Sequence, residues 1–219
     1  MKNFKSFYAL VVVIGILLIF STINYYSNRK ISAENLPSYK ESKNTEFEEH
    51  LDSTTQIYSN FRYGFSMDFP DNWQLDKGVS EHTIIRGGLK DSAYSFSINV
   101  VQLSGDFPKD FSVWELYEMD KDKYAFDMNN ALQSQLNSKT FNFSQEKVYV
   151  SDRKGIETKF NYITREVNLE IEMVGIMYSV FVPPFAFTIG MHLPLEYYQN
   201  NPTYFKYLIN DFGFIQRNS

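Results

Sequence analysis

The chain has three histidines, and histidine is the side chain most often used for proton transfer and for binding transition metals. His50 lies before the segment that is predicted to fold, whereas His82 and His192 lie on separate predicted strands. Their positions do not have the spacing of a metal site. We therefore interpret all three as ordinary surface or strand-end histidines. The alternatives are a pH-sensitive contact and a weak metal site.

Four carboxylates crowd one predicted helix: Glu115, Glu118, Asp120 and Asp122. Grouped carboxylates can bind a cation or form the acid–base pair of a glycosidase. Here Lys121 and Lys123 are interleaved with them, a pattern that favours a solvated helix face. We favour the solvated face, so the sequence predicts neither a metal site nor a catalytic pair of carboxylates.

Other groups that commonly do chemistry are missing from the sequence. It contains no cysteine, which excludes disulfides, thiolate catalysis and a lipid-modified cysteine anchor. The Gly-x-Ser-x-Gly pattern of serine hydrolases does not occur. Gly87-Gly88 lacks the helix start that a phosphate-binding loop requires, and it is predicted to form a hairpin turn. The sequence therefore predicts no catalytic residue and no cofactor.

One apolar, proline-stiffened link between two predicted strands is a candidate for contact with a partner. It consists of Phe181, Val182, Pro183, Pro184 and Phe185. A stiff apolar loop can bind with little loss of entropy on ordering, but the same residues could fold into the core or form a rigid turn. Trp73 is a second candidate contact, although a tryptophan after a turn is more typical of packing on the preceding hairpin.

The overall composition indicates a strand-rich domain that does not bind nucleic acid. Phe and Tyr favour β-strands, and the 219 residues include 20 Phe and 16 Tyr. The formal net charge is −5 and the isoelectric point is near 5.3. A nucleic-acid-binding surface needs the opposite charge balance, because it must face the phosphate backbone.

Residues 7–26 are predicted to anchor the chain in a membrane. No charged residue occurs between Lys5 and Arg29, and residues 7–20 form an unbroken apolar run. About 20 helical residues span a hydrocarbon core of about 30 Å. We expect an uncleaved signal anchor, with residues 1–6 in the cytoplasm and the rest of the chain outside it. A cleaved signal peptide and a buried core helix are the alternatives.

The segment that follows the predicted anchor, residues 27–56, is polar and carries charges of both signs. It has no periodic apolar stripe, and that composition predicts a flexible stalk. The folded part is then expected at 57–216, a length typical of one domain.

Strand patterns dominate the folded segment. Apolar residues recur at every second position in 65–69, after a predicted turn at Tyr63-Gly64, and again in 96–100. Four more strands are predicted between residues 141 and 192. Because neighbouring strands are joined by short turns, the sheet is expected to be mainly antiparallel.

Two segments of the same region have the helical period instead. Apolar residues lie three and four positions apart across 112–136, and Ser112 with Glu115 matches a capping box. A shorter closing helix is predicted over 203–211. Together with the strands, these helices predict an α+β fold in which an antiparallel sheet is flanked by helices, an α/β/α sandwich.

Three stretches of the sequence resemble the PsbP-like domain family, over about residues 58–215. The stretches are Tyr63-Gly64-Phe65 followed by Pro70-x-x-Trp73, the strand opening Gly155-Ile156-Glu157, and the aromatic-rich end at 197–214. The resemblance implies an antiparallel sheet flanked by helices. It also implies protein binding rather than catalysis, because the best-known members are an extrinsic subunit of photosystem II and a nuclear-transport factor that binds a small GTPase. Nothing in the sequence points to photosynthesis, so those specific partners are not transferred to this chain.

The function expected from the sequence is that of a membrane-tethered binding module outside the cytoplasm, whose partner is a protein or another envelope component. One alternative is a sensor that binds a small ligand. In that case its ligands would raise the melting temperature of the domain. The other is an enzyme whose site is assembled from dispersed residues, including His82 or His192. That alternative predicts a deep pocket with converging polar groups.

Overall fold

The computed structural model describes residues 49–77, 82–89, 94–103, 107–166 and 169–215. Within these ranges the chain forms eleven strands and four helices. The strands are β1 (Glu49–Asp52), β2 (Ile57–Asn60), β3 (Phe65–Asp68), β4 (Trp73–Lys77), β5 (Thr83–Leu89), β6 (Ser95–Gln102), β7 (Phe141–Val150), β8 (Arg153–Glu166), β9 (Leu169–Val182), β10 (Phe185–Pro194) and β11 (Phe212–Phe214). The helices are α1 (Val113–Met119), α2 (Lys121–Leu136), α3 (Leu195–Asn200) and α4 (Tyr204–Asn210).

A seven-stranded sheet in the order β4-β5-β6-β10-β9-β8-β7 forms the middle layer of the fold. Every pair of neighbouring strands in it is antiparallel. Its central strands are buried on both faces, so β9 is continuously buried from Met173 to Phe181. The predicted antiparallel sheet is therefore confirmed. The strict alternation of apolar and polar residues is lost in the centre because both faces are covered.

One face of this large sheet is covered by a second, four-stranded sheet and by the two C-terminal helices. The small sheet has the order β1-β2-β3-β11. Its Phe65 and Met67 share a core with Phe96 and Ile98 of β6. Phe205 brings α4 into the same core. This outer layer differs from the predicted α/β/α sandwich, because on this side much of the covering layer is a sheet rather than helices.

The other face of the large sheet is covered by α1 and α2. Leu116, Met128 and Leu132 on these helices pack against Ile156 and Phe160 of β8. The periodic apolar residues of the helices thus bury one stripe against the sheet, as their spacing predicts. The expected packing of helices against the sheet is confirmed on this face.

The predicted helix over 112–136 is two helices that meet at Asp120. Ser112 and Glu115 form the predicted capping box at the start of α1. Asp120 has φ −164° and accepts a hydrogen bond from the Lys123 backbone N–H at 2.9 Å, so it caps the start of α2. An N-terminal cap needs a non-helical backbone. Asp120 therefore interrupts the helix, although the apolar residues keep their helical spacing across it.

The prediction of a hairpin turn at Gly87-Gly88 is wrong, because both glycines lie inside β5. A Cβ added to Gly88 would lie 2.2 Å from the carbonyl oxygen of Tyr94, and one on Gly87 would lie 2.6 Å from Leu75 Cδ2. The glycines are therefore required by close approach of neighbouring chain segments, not by a turn.

The end of the predicted stalk is also corrected, because residues 49–52 form β1 rather than flexible chain. Glu49 accepts a hydrogen bond from the Tyr58 hydroxyl at 2.7 Å and forms an ion pair with Lys77. The rest of the stalk and the predicted anchor at 7–26 lie outside the described residues. No helix within the described ranges is both long and apolar enough to cross a bilayer.

Candidate functional site

The apolar link predicted as a contact site is a tight turn between β9 and β10. Phe181 is buried, and its ring stacks on Phe111 with centroids 6.2 Å apart. The Phe185 ring meets the ring of Tyr63 edge-on at 5.2 Å. Pro184 is exposed, and its carbonyl oxygen accepts a hydrogen bond from Leu103 N–H at 2.7 Å. The aromatic residues of the link therefore pack against other aromatic rings of the domain. Contact between the link and a partner stays a prediction.

Trp73 also lies in the core. Only 4% of its surface is exposed, and its ring packs against those of Phe69 and Phe96, with centroids 6.1 Å and 5.7 Å away. Its indole N–H donates a hydrogen bond to the Tyr204 hydroxyl at 3.1 Å. Trp73 therefore packs on Phe69, which follows β3, and on Phe96 of β6 and Tyr204 of α4. A partner would have no access to the Trp73 side chain.

The three histidines are not brought together. His50 is exposed on β1, and the carbonyl of His82 accepts a hydrogen bond from Val100 N–H near one end of β6. His192 pairs with Ser95 at the other end of β6. Within the described ranges, no group of three or more His, Asp or Glu side chains is arranged to hold a metal ion.

The crowded carboxylates of α1 act as caps and ion-pair partners. Partial burial raises the pKa of Glu115, but hydrogen bonds from Ser112 outweigh this, and its pKa lies below the ordinary value. A hydrogen bond from Lys147 lowers the pKa of Glu118. Low pKa values keep both carboxylates ionised, which is the opposite of what a general acid requires.

Sequence reasoning missed a partly exposed aromatic and cationic cluster, here called the Trp114 platform: Trp114, Lys147, Tyr149 and Lys154. The indole N–H of Trp114 donates a 2.7 Å hydrogen bond to the carbonyl of Gly155, which fixes the ring against β8. The Tyr149 ring lies edge-on to it at 5.1 Å and is 65% exposed. The two lysine ammonium groups lie 5.0 and 5.4 Å from the indole centroid. The exposed face therefore combines aromatic surface with cations.

The platform lies beside one edge of the large sheet, the edge formed by β7. Within the described ranges, β7 pairs with β8 and with no other strand. Val150 and Arg153 flank the two-residue turn between these strands and form a hydrogen-bonded pair. By alternation, Gln145, Lys147 and Tyr149 turn their backbone N–H and C=O groups outward. The side chains of the last two point to the face on which Trp114 lies.

A second, buried polar group lies under α2. The Tyr162 hydroxyl is 3.0 Å from His192 Nδ1, and both side chains are buried. Burial lowers the pKa of His192 to about 4 and raises the pKa of Tyr162, so both are neutral at pH 7. Gln135 on α2 is also buried, with 6% of its surface exposed, and its amide nitrogen and oxygen have no hydrogen-bond partner within the described structure.

Comparison with solved structures shows what this architecture is similar to. The cyanobacterial PsbP protein CyanoP from Synechocystis sp. PCC 6803 superposes with a TM-score of 0.52 at 11% identity, over 73% of this chain and 91% of CyanoP. The chain therefore has a PsbP-like fold, as its sequence resemblance implied.

Two further structures show weaker likeness. LpqN of Mycobacterium tuberculosis, described as involved in cell envelope biogenesis, superposes with a TM-score of 0.47 at 8% identity, over 69% of this chain and 83% of LpqN. A protein from Bacteroides thetaiotaomicron superposes with a TM-score of 0.45 at 13% identity, over 71% of this chain and 46% of that protein. No family model and no curated protein matches the sequence.

Proposed function

We propose that the protein is a membrane-tethered binding module outside the cytoplasm, and that it holds an extended segment of a protein partner along β7. The observation that carries this proposal is the Trp114 platform beside a strand edge whose outer side is open within the described structure. An open edge recognises an added strand through backbone hydrogen bonds, and neighbouring side chains then select the sequence of that strand.

The backbone groups of Gln145, Lys147 and Tyr149 supply the affinity. Each exchanges a hydrogen bond with water for one with the added strand, for a net gain of about 0.5–1.5 kcal/mol per bond. Apolar contact with Trp114 and Tyr149 adds to this, since Trp and Tyr are frequent anchors of interfaces.

The charges of the platform indicate which side chains a partner strand would carry. Lys147 is paired with Glu118, and Lys154 with Glu115, so the platform is close to electrically neutral. A neutral aromatic surface favours an aromatic or aliphatic residue of the partner over an acidic one. We expect that residue to lie opposite Tyr149.

The predicted anchor at 7–26 would raise the local concentration of the domain near membrane-bound partners. A modest affinity at β7 would then suffice. Protease added to intact cells or spheroplasts is expected to remove the domain. If the domain were fully protected, its placement outside the cytoplasm would be wrong.

Site-specific photocrosslinking in the full-length, membrane-bound protein tests the binding surface. A benzophenone amino acid at Tyr149 is expected to give a discrete protein adduct. The same substitution at Tyr207, which is 66% exposed on α4, is the matched control and is expected to give none. Equal adducts at both positions, or none at Tyr149, would contradict the proposal.

Two changes at Lys147 separate backbone from side-chain recognition. Lys147→Pro removes an outward N–H that β8 does not use, so the ladder is retained and the adduct is expected to disappear. Lys147→Ala removes the ammonium but retains the N–H, and the adduct is expected to persist. Loss of the adduct in both variants would indicate side-chain recognition instead of strand addition.

A further inference from the structure

Several turns of the domain lie together at one end of the large sheet. Phe185 of β10 pairs with Val182 across the β9–β10 turn and with Gln102 at the end of β6. The β7–β8 turn lies at the same end, because Gly155, near the start of β8, pairs with Val180 of β9. Here this end of the domain is called the turn end.

The small sheet contributes its β2–β3 turn to the turn end. The ring of Tyr63 in this turn lies edge-on to the ring of Phe185, with centroids 5.2 Å apart. Glu49, the first residue of β1, pairs with Asn60, which directly precedes the turn. The chain that precedes Glu49 contains the predicted anchor at 7–26, so this part of the chain joins the domain at the turn end.

Exposed side chains at the turn end match the chemistry of a lipid surface. Phe61 is 51% exposed, and Pro184 is exposed in the neighbouring β9–β10 turn. Arg62 is also exposed, and its guanidinium carbon lies 5.4 Å from the centroid of the Tyr63 ring. Large apolar side chains enter the boundary between headgroups and acyl chains, and arginine pairs with phosphate. The turn end therefore presents an apolar tip with a cation beside it.

The charges of the turn end allow contact with anionic lipids, although the whole chain has a formal net charge of −5. Lys77 is paired with Glu49 where the chain enters the domain, and Arg153 is paired with Asp152 in the β7–β8 turn. Residues 109–110, which precede α1, carry one charge of each sign. Within the described ranges, the turn end thus lacks the acidic excess that would repel lipid phosphate.

We propose that the turn end rests on the outer surface of the membrane, with Phe61 at the boundary between headgroups and acyl chains and Arg62 on the phosphate groups of anionic lipids. This inference rests on the proposed function for the tether and for the placement outside the cytoplasm. A tether alone would permit many orientations of the domain. The side chains of the turn end select one of them, in which the strands of the large sheet stand away from the bilayer.

This orientation also places the proposed β7 site. Tyr149 is followed by Val150, which flanks the β7–β8 turn, so the Trp114 platform lies close to the turn end. A docked domain holds the platform near the bilayer, where the outer segments of membrane proteins emerge. The partner that this orientation favours is a membrane protein with an extended segment next to its span.

Nitroxide labelling of the full-length protein in lipid nanodiscs tests the orientation. The chain has no cysteine, so Phe61→Cys and Leu169→Cys each supply a single labelling site. Leu169 is the matched control, because it is 69% exposed and flanks the β8–β9 turn at the opposite end of the sheet.

The two labels are expected to report different surroundings in discs of phosphatidylcholine and phosphatidylglycerol. The label at position 61 should collide more with oxygen, which concentrates in lipid, than with a nickel chelate, which stays in water. The label at position 169 should show the reverse. Nickel collisions that dominate at both positions would overturn the proposal.

Matched substitutions in the protein labelled at position 61 test the role of Arg62. Arg62→Gln is expected to lower the ratio of docked to undocked domain, read from the two components of the spectrum, by about fivefold. Discs of phosphatidylcholine alone should have a similar effect. Lys206→Gln, which removes an exposed cation on α4, should leave the ratio unchanged. An equal effect of both substitutions, or of neither, would contradict binding of lipid phosphate by Arg62.

The orientation and the proposed function can fail separately. A label at position 61 that is in water, in a protein that still gives the Tyr149 adduct, would refute the orientation alone. Lipid contact at position 61 without that adduct would refute the partner site at β7 and support the orientation. A protein that does not stay in the discs would refute the tether and the orientation together.

Discussion

The Trp114 platform and the buried Tyr162–His192 pair both place aromatic rings beside basic side chains, yet water makes them different kinds of site. At the platform, Lys147 and Lys154 stay charged and are paired with partly exposed carboxylates. Under α2, burial keeps His192 neutral. Burial, more than residue type, decides whether a basic group acts as a charge or as a hydrogen-bond partner.

The largest effect is expected from adding one methyl group at Gly175, in the buried layer that contains the Tyr162–His192 pair. A Cβ at Gly175 would lie 2.3–2.8 Å from three carbons of the Phe160 ring. Gly175→Ala should therefore lower the free energy of unfolding by about 3 kcal/mol, because a closely packed core cannot absorb the overlap. Urea unfolding measures this, and Gly190→Ala, whose added Cβ would lie 3.7 Å from Met177 Cγ, is the control with a much smaller expected loss. Equal losses in the two variants would show that the core is not tightly packed at Gly175.

Acid should destabilise the folded protein through His192. Its pKa is about 4 when folded and about 6.5 when unfolded, so the unfolded chain binds more protons between these values and stability falls as the pH is lowered. From pH 7 to pH 5 the loss should be about 2 kcal/mol from this residue. Urea unfolding at both pH values, compared with His192→Gln, isolates the contribution. An identical pH dependence in the variant would contradict it.

A smaller effect is expected where the platform meets the sheet. Trp114→Phe retains an aromatic ring but removes the N–H that bonds the Gly155 carbonyl. Losing this single hydrogen bond should cost about 1 kcal/mol of unfolding free energy. Tyr149→Phe is the control, since its exposed hydroxyl is expected to contribute little. A loss above that of Gly175→Ala would mean that the platform is a structural element and not mainly a surface.

The smallest effect is expected from the charges of the platform. Lys147→Ala removes the ion pair with Glu118, but exposed pairs contribute little because water screens them. The urea midpoint should be unchanged within error at low and at high salt. A clear salt-dependent drop would show that the ammonium groups are less hydrated than their exposure indicates.

Local sequence patterns predicted the parts of the fold that depend on neighbouring residues. The Ser112–Glu115 capping box needs residues three apart, and the turn at Tyr63-Gly64 needs a residue that tolerates a positive φ, which is 75° at Gly64. Gly87-Gly88 was misread because its reason is the close approach of Tyr94 in three dimensions. The three-residue β11 has no pattern of its own and exists because it pairs with β3.

The candidate sites depend on contacts that are distant along the chain, and for that reason the sequence did not reveal them. The Trp114 ring depends on Gly155, and His192 depends on Tyr162. The available signal was the period-two placement of Lys147 and Tyr149 on one face of a predicted strand. That pattern could have indicated an exposed face, but not the tryptophan beside it.

The small sheet joins the beginning and the end of the domain, since β11 pairs with β3 and Ile215 N–H donates a 2.9 Å hydrogen bond to the carbonyl of Gly64. During synthesis, β3 leaves the ribosome long before its neighbour β11 exists. Completion of the fold must therefore wait for nearly the whole domain, and the conformational entropy of closing that long loop is lost late. A nascent chain of this topology therefore stays incompletely folded until its last strand has been made.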